Sequence, residues 1–314
     1  MKPNKKIIKI VGIVLGVVLA IFILNAIYLN VSYKIQQTNY QDAFSIYGNT
    51  EEYVPQGLTY SPKYNVAIQT SYNAKHQVSR IYVIDLDKQM LLKSLKLQDP
   101  NGNENTHHVG GIATNDEVLW ITNDYEVEEY SLEEIVSTKV DHIKAKRVFD
   151  LPIRGDFCSY YNNQLWIGDF YLRPFYNVPN GNPLLMAFPV EEEMQYSVPS
   201  VVISLPKMIQ GLAFNERGEL AFTASYTYLI PSTFYLYPNV LEETAPSTIT
   251  VSGKEIPYYP FDKKKIITKK SLPPMAEGMY YLDGSYYILF ESSSDHYSMA
   301  FPKIKKVIQY KTDK

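Results

Sequence analysis

Pro55-Gln56-Gly57-Leu58, followed after a turn by Val66-Ala67-Ile68, sets a pattern that the chain repeats. An aliphatic residue follows an opening glycine, a turn rich in Asn, Asp or Gly comes next, and a short apolar run then ends in polar residues. The pattern returns as Val109-Gly110-Gly111-Ile112 with Leu119-Trp120-Ile121, and as Phe157-Cys158-Ser159-Tyr160 with Leu165-Trp166-Ile167. It returns again as Ile209-Gln210-Gly211-Leu212 with Leu220-Ala221-Phe222, and finally as Ala276-Glu277-Gly278-Met279 with Tyr287-Ile288-Leu289. Past the N-terminus no long helical apolar period interrupts these β-like runs, apart from a short stretch at 131–136, so the chain reads as an all-β repeat protein.

Between successive copies lie two more strand candidates: 80–86 and 91–97, 127–131 and 147–151, 184–190 and 201–205, 233–237 and 265–270. Each unit is therefore a four-stranded antiparallel meander. After the fifth copy only 304–310 remains, one strand short, while 43–47 ahead of the first copy is one strand spare. An N-terminal strand that completes the last blade is how a β-propeller closes its ring and leaves no open sheet edge. The opening positions 57, 111, 158, 211 and 278 are 54, 47, 53 and 67 residues apart, against about 40–50 residues for a blade. The long interval holds an insertion, 238–261, that is too short to be a blade. The expected fold is a five-bladed β-propeller over 43–314, with six blades as the alternative.

Composition agrees. The 314 residues are 46% hydrophobic and 20% charged, with a net charge of −3, which excludes a disordered chain and gives no basic footprint for nucleic acid. The 28 Tyr favour β-structure. One cysteine, Cys158, can form no intramolecular bridge. Its place at the start of an inner strand, between Phe157 and Tyr160, reads as a small buried packing residue rather than a nucleophile.

The N-terminus suggests where the protein sits. Lys2, Lys5, Lys6 and Lys9 precede an apolar run at 10–29 whose one strongly polar residue is Asn25. As helix, 20 such residues span about 30 Å, enough to cross a bilayer. The basic flank keeps 1–9 in the cytoplasm, and a stalk over 30–42 then leads to an extracytoplasmic propeller. The run is longer than a signal-peptide core and lacks small residues at a cleavage site, so a single-pass cell-membrane anchor is expected.

Equivalent positions of the five copies converge on the propeller axis at one mouth. There the repeat alignment gathers Gln56, His108, Asp156, Gln210 and Glu277, with Asn123, Asp169 and Glu291 from the ends of the second strands. Glu277, Asp169, Asn123 and Glu291 form an oxygen-rich set of the kind that holds Ca²⁺ in a central channel. Polar groups at such a mouth also serve simply to satisfy strand-end amides. His107-His108 lacks a third histidine or cysteine at zinc spacing. No nucleophile elbow, P-loop or dinucleotide fingerprint is present.

Val54-Pro55-Gln56-Gly57-Leu58, His108-Val109-Gly110-Gly111-Ile112, Leu165-Trp166-Ile167-Gly168-Asp169-Phe170-Tyr171, Pro273-Pro274-Met275-Ala276-Glu277-Gly278 and Ile288-Leu289-Phe290-Glu291-Ser292 together resemble a group of bacterial membrane-anchored or secreted propeller proteins. The chain is more distantly similar to strictosidine-synthase-like and gluconolactonase-like propellers, some with an axial Ca²⁺, and to five-bladed glutaminyl cyclases. Their catalytic patterns do not transfer onto these residues, so the resemblance implies a fold and a membrane setting, and no reaction. Three functions follow as expectations. The first is a binding module for a small-molecule, glycan or protein ligand of the envelope. The second is a metal-dependent hydrolase or lactonase, with Glu277 and Asp169 as ligands and His108 as base. The third is an architectural envelope protein.

Overall fold

The computed structural model describes residues 5–170, 183–191 and 196–312; Lys2 and Tyr171, both used above, lie outside these. The first element is a helix, α1 (Lys5–Gln36), which continues through the first residues after the apolar run. It is long and apolar enough to cross a membrane, and every described side chain over 6–21 is exposed. Its C-terminal part lies on the propeller. Leu29 is buried, Tyr33 packs against the core, and Asn25 Nδ2 donates to the carbonyl of Leu229 at 2.9 Å.

Five antiparallel blades follow. Blade one is β2 (Tyr53–Ser61), β3 (Val66–Asn73), β4 (Arg80–Asp85) and β5 (Met90–Gln98); blade two is β6 (Gly111–Thr114), β7 (Val118–Asn123), β8 (Glu126–Ser131) and β10 (Arg147–Asp150). Blade three is β11 (Phe157–Tyr161), β12 (Gln164–Gly168), β13 (Leu184–Pro189) and β14 (Val201–Ser204). Blade four is β15 (Ile209–Phe214), β16 (Leu220–Ala224), β17 (Ser232–Tyr237) and β20 (Thr268–Leu272). Blade five takes β21 (Ala276–Leu282), β22 (Ser285–Phe290) and β23 (Lys306–Tyr310), and completes itself with β1 (Tyr40–Ser45), paired Tyr40 to Tyr310. The inner strands touch in a closed cycle, β2 to β6, β6 to β11, β11 to β15, β15 to β21 and β21 back to β2. This is the five-bladed, N-terminally closed ring expected from the repeats.

The cores lie between blades rather than within one central mass. Phe44, Leu58, Phe234 and Tyr286 join blades four, five and one, while Trp120, Leu165 and Phe188 join two and three. Two additions cover outer edges. A short strand from blade two, β9 (His142–Lys144), pairs parallel with β5 of blade one. The insertion forms a hairpin, β18 (Ser247–Val251) and β19 (Lys254–Tyr259), and β19 pairs parallel with β14 of blade three. It leaves blade four after β17, at the end of the ring away from the mouth, and it shields a strand edge that would otherwise present free amides. The 131–136 stretch forms α2 (Leu132–Ser137), started by Ser131, whose side chain accepts from the amide of Glu134.

Candidate functional site

The opening glycines exist because five inner strands meet at a narrow axis. A Cβ on Gly278 would stand 2.5 Å from the Leu58 nitrogen and 2.8 Å from the Gln56 oxygen, and one on Gly211 would stand 2.5 Å from the Glu277 oxygen. Gly57, Gly110, Gly111, Gly211 and Gly278, with Leu58, Ile112, Phe157, Cys158 and Leu212, leave an axial void of about 10 Å³. That holds one water at most. Backbone and apolar side chains therefore close the axis at this level, which gives the mouth a floor.

Local backbone irregularity aims the mouth residues. The pairing register shifts between Pro55 and Leu58, between Ile209 and Gly211, and between Ala276 and Met279. A bulge of this kind turns a side chain away from the sheet face it would otherwise occupy. The three residues so turned are Gln56, Gln210 and Glu277. Just ahead of two of these bulges, Met208 and Met275 take φ of 67° and 64°, a costly backbone for a side chain with a Cβ. Their carbonyls accept the amides of Ser225 and Glu291, at 2.8 and 2.9 Å, so the same device recurs in blades four and five.

The first mouth group spans blades four, five and one. Glu277 is buried, and its Oε1 accepts from Gln210 Nε2 at 3.1 Å. Glu291 is half-buried, and its Oε1 accepts from Gln56 Nε2 at 2.8 Å and from the Tyr297 hydroxyl at 3.0 Å. All these partners are neutral. Burial pushes Glu291 up to about 7, and burial together with the charge of Glu291 pushes Glu277 well above the usual carboxylate range. Both shifts favour the neutral carboxyl over the carboxylate at this end of the ring.

A second group belongs to blade three. Asp169 is buried and accepts from the amide of Leu184 at 2.5 Å; burial, and to a lesser extent Asp156, raises its pKa to about 7. Asp156 accepts from the amide of Phe170 at 2.6 Å and pairs with Arg154 at 3.1 Å, while Arg154 also reaches Asp124 at 2.9 Å. Burial raises Asp156 as well. His108 stands beside Tyr72, whose hydroxyl lies 3.5 Å from that of Tyr297. The His108 ring is solvent-accessible yet closely walled, 4.3 Å from the Tyr72 ring, and desolvation lowers its pKa.

Asn123 goes elsewhere. Its Oδ1 lies 2.9 Å from His107 Nδ1, and its Nδ2 donates to Glu128 at 3.4 Å. Among the described residues, the His, Cys, Asp and Glu atoms that lie within 4.8 Å of one another in a group of three are those of His107, Glu126 and Glu128. Glu128 is buried, accepting from Asn105 Nδ2 at 2.7 Å and from the Tyr130 hydroxyl. The four oxygen donors considered for a cation are thus divided: Glu277 with Glu291, Asp169 with Asp156, Asn123 with His107. As one ligand set for Ca²⁺ they do not fit. Cys158 is buried against the axial floor, and its thiol is pushed up to about 12.

Repeat alignment had no means to find Tyr297, which comes from the long β22–β23 connection outside the repeat. Nor could it choose His107 over His108 for the polar group beside Asn123, because adjacent residues of an extended segment point opposite ways.

No protein-family model matches the chain, and no curated protein matches it by sequence. Among solved structures it is similar to the glutaminyl cyclase of Myxococcus xanthus, at 10% identity over 86% of this chain and 97% of that one, with a TM-score of 0.48. It is similar also to the PQQ-bound aldose sugar dehydrogenase of Streptomyces coelicolor, at 14% identity over 80% and 76%, with a TM-score of 0.44. A luciferin-regenerating enzyme gives 8% identity over 85% and 92%, with a TM-score of 0.42.

Proposed function

We propose that the chain is a membrane-anchored, extracytoplasmic propeller that binds a small polar ligand of the cell envelope at its mouth. The observation that carries this reading is that Glu277 and Glu291, near enough for the charge of Glu291 to raise the pKa of Glu277, are both held by neutral partners at the floored mouth. Two carboxyl groups withdrawn from water without a compensating cation cost stability, and such groups mark functional sites more often than structural ones. With Asp169 and Asp156 opposite, the mouth suits a ligand that brings positive charge or several hydrogen-bond donors: an ammonium compound or a polyhydroxylated one. Such a ligand takes the place of the protons. At pH 7 a cationic ligand would bind with proton release, because it lowers the pKa of Glu277, Glu291 and Asp169.

The test uses the full chain in detergent micelles and a panel of ammonium-bearing and sugar compounds, read first by thermal shift. Hits go to titration calorimetry in two buffers of different ionisation enthalpy. The expected result is a shift that Glu277→Gln and Asp169→Asn both weaken at least about tenfold. Equal binding by the parent and both variants would remove the mouth as the site. The anchor is tested separately: the chain should resist alkaline extraction from membranes, and protease added to intact cells should reach the propeller.

A metal-dependent hydrolase is the second reading, and the grouping of His107 with Glu126 and Glu128 is what favours it. Metal analysis of the purified chain separates the two. A stoichiometric ion lost in His107→Ala would support the hydrolase, and no ion would remove it.

A further inference from the structure

We infer that the mouth faces the bilayer, held there by an apolar rim formed by Tyr226, Leu229 and Ile230 of the β16–β17 loop and Met299 and Phe301 of the β22–β23 connection. This rests on the anchored reading given above.

The argument is one of direction. Inner strands begin at the mouth, so second strands end there and the loops after β16 and β22 border it. Strand β1 starts at Tyr40 opposite Tyr310, at the end of β23 far from the mouth. Helix α1 ends just before Tyr40, yet Asn25, eleven residues above its last residue, reaches Leu229 in a mouth-side loop. The helix therefore climbs the side of the propeller toward the mouth and leaves the molecule on that face. The apolar residues beyond this contact, 10–24, make about 22 Å of helix, and Lys9 and Lys6 on the next turn extend to the far headgroups, so that the helix crosses a hydrocarbon layer of about 30 Å with its basic end at the opposite surface.

The membrane surface then lies level with Asn25 and Leu229. There the rim residues stand 40 to 52% exposed, large apolar side chains beside the helix, with the Tyr226 ring stacked 6.3 Å from that of Phe170. Phe301 shares an apolar groove with Phe22, Ile23 and Ile27 of the helix, so rim and anchor form one continuous surface. Aromatic and aliphatic side chains at this depth are those that favour a membrane interface. The consequence concerns the ligand: a mouth held against the outer leaflet selects a molecule resident in or at the membrane.

Tryptophan depth measurement tests the inference on the full chain, because both native tryptophans, Trp120 and Trp166, are buried at 1% exposure and contribute a constant emission out of the lipid quencher's reach. Four variants, Leu15→Trp, Ile230→Trp, Phe301→Trp and Met90→Trp, are reconstituted in phosphatidylcholine vesicles brominated at shallow or deep acyl positions. Met90 is exposed at the start of β5, at the end of the ring away from the mouth. Expected are loss of about half the added emission for Leu15→Trp with deep bromine and for Ile230→Trp and Phe301→Trp with shallow bromine, and no loss for Met90→Trp. Quenching of Leu15→Trp, with Ile230→Trp and Phe301→Trp as bright as Met90→Trp, overturns the inference and leaves the anchor standing. An unquenched Leu15→Trp overturns the anchor and the inference together.

Discussion

Gln56 donates its Nε2 to Oε1 of Glu291 across 2.8 Å, joining the first blade to the last at the mouth. The bond crosses the seam of the ring. It also ties the fold to a group whose pKa burial raises to about 7. In the unfolded chain that group titrates near its ordinary value, so between about pH 4.5 and 7 the folded state holds more protons. Stability contributed by the protonated form is full below the unfolded pKa and is lost as pH rises through the folded one. Asp169 acts in the same direction. Denaturant unfolding from pH 5 to 8 should therefore lose about 2 kcal/mol. Glu291→Gln, which keeps an acceptor for Gln56, should make the profile less steep, with Asp169 supplying the slope that remains. A parent chain that is more stable at pH 8 than at pH 5 would contradict the raised pKa values.

At Gly278 the added methyl group of Ala would meet backbone of blade one on two sides, at 2.5 and 2.8 Å, with no flexible side chain to yield. Gly278→Ala should cost about 2–4 kcal/mol by overpacking. Gly16→Ala in α1, where no atom lies within 4 Å, should leave the propeller's unfolding midpoint unchanged. Thermal denaturation of the two variants makes the comparison.

The five blades could be read from sequence because one structural demand, close approach at the axis, imposes one residue pattern on each copy. Gly57, Gly111, Gly211 and Gly278 are that demand written four times. Closure was legible too, since 43–47 had no partner except the incomplete last blade. The destination of the insertion was not. Tyr258 pairs with Val202 across two repeats, and nothing local in either segment specifies the other. Glu128 and Glu129 were equally silent, because consecutive acids in a strand ordinarily point one to water. Here β8 is covered on both faces. Glu128 turns to Asn105 and Tyr130, and Glu129 turns to Trp120, Tyr196 and Arg147.

That second acid gives its own expectation. Glu129 Oε1 accepts from the Tyr196 hydroxyl at 2.6 Å, Oε2 accepts from Arg147 Nε at 2.8 Å, and the Trp120 indole donates to Tyr196 at 2.9 Å. Tyr196→Phe leaves Glu129 Oε1 and the Trp120 indole N–H with only their longer bond to each other, 3.3 Å, and should cost about 1–2 kcal/mol. Arg147 is half-exposed, so water replaces it in part, and Arg147→Met should cost less than the loss of a fully buried partner, about 1–2 kcal/mol. Urea denaturation of the single and double variants should show the two costs to be non-additive.

Closure of the ring makes a different demand on β1. Phe44 is 3% exposed within the core shared by blades four, five and one. Phe44→Ala should cost about 3 kcal/mol through transfer and cavity terms together. Weakening β1 also uncovers the edge of β23, whose free amides then recruit other chains. The variant should therefore form concentration-dependent aggregates at temperatures where the parent is monodisperse, a difference that light scattering reads directly.

Cys158 tests the axial floor itself. Its thiol is buried beside the opening glycines, and burial pushes its pKa up to about 12, so at pH 8 almost no thiolate exists to react. Maleimide or a disulfide reagent should leave the native chain unlabelled over hours and label one thiol once denaturant unfolds it. The rate in the native state then reports opening of the ring. It should rise in Gly278→Ala and Phe44→Ala in proportion to their loss of stability if the floor opens only by global unfolding. Labelling of the native parent as fast as that of the unfolded chain would mean that reagent-sized molecules pass the mouth into the axis, and a floored site would have to be given up.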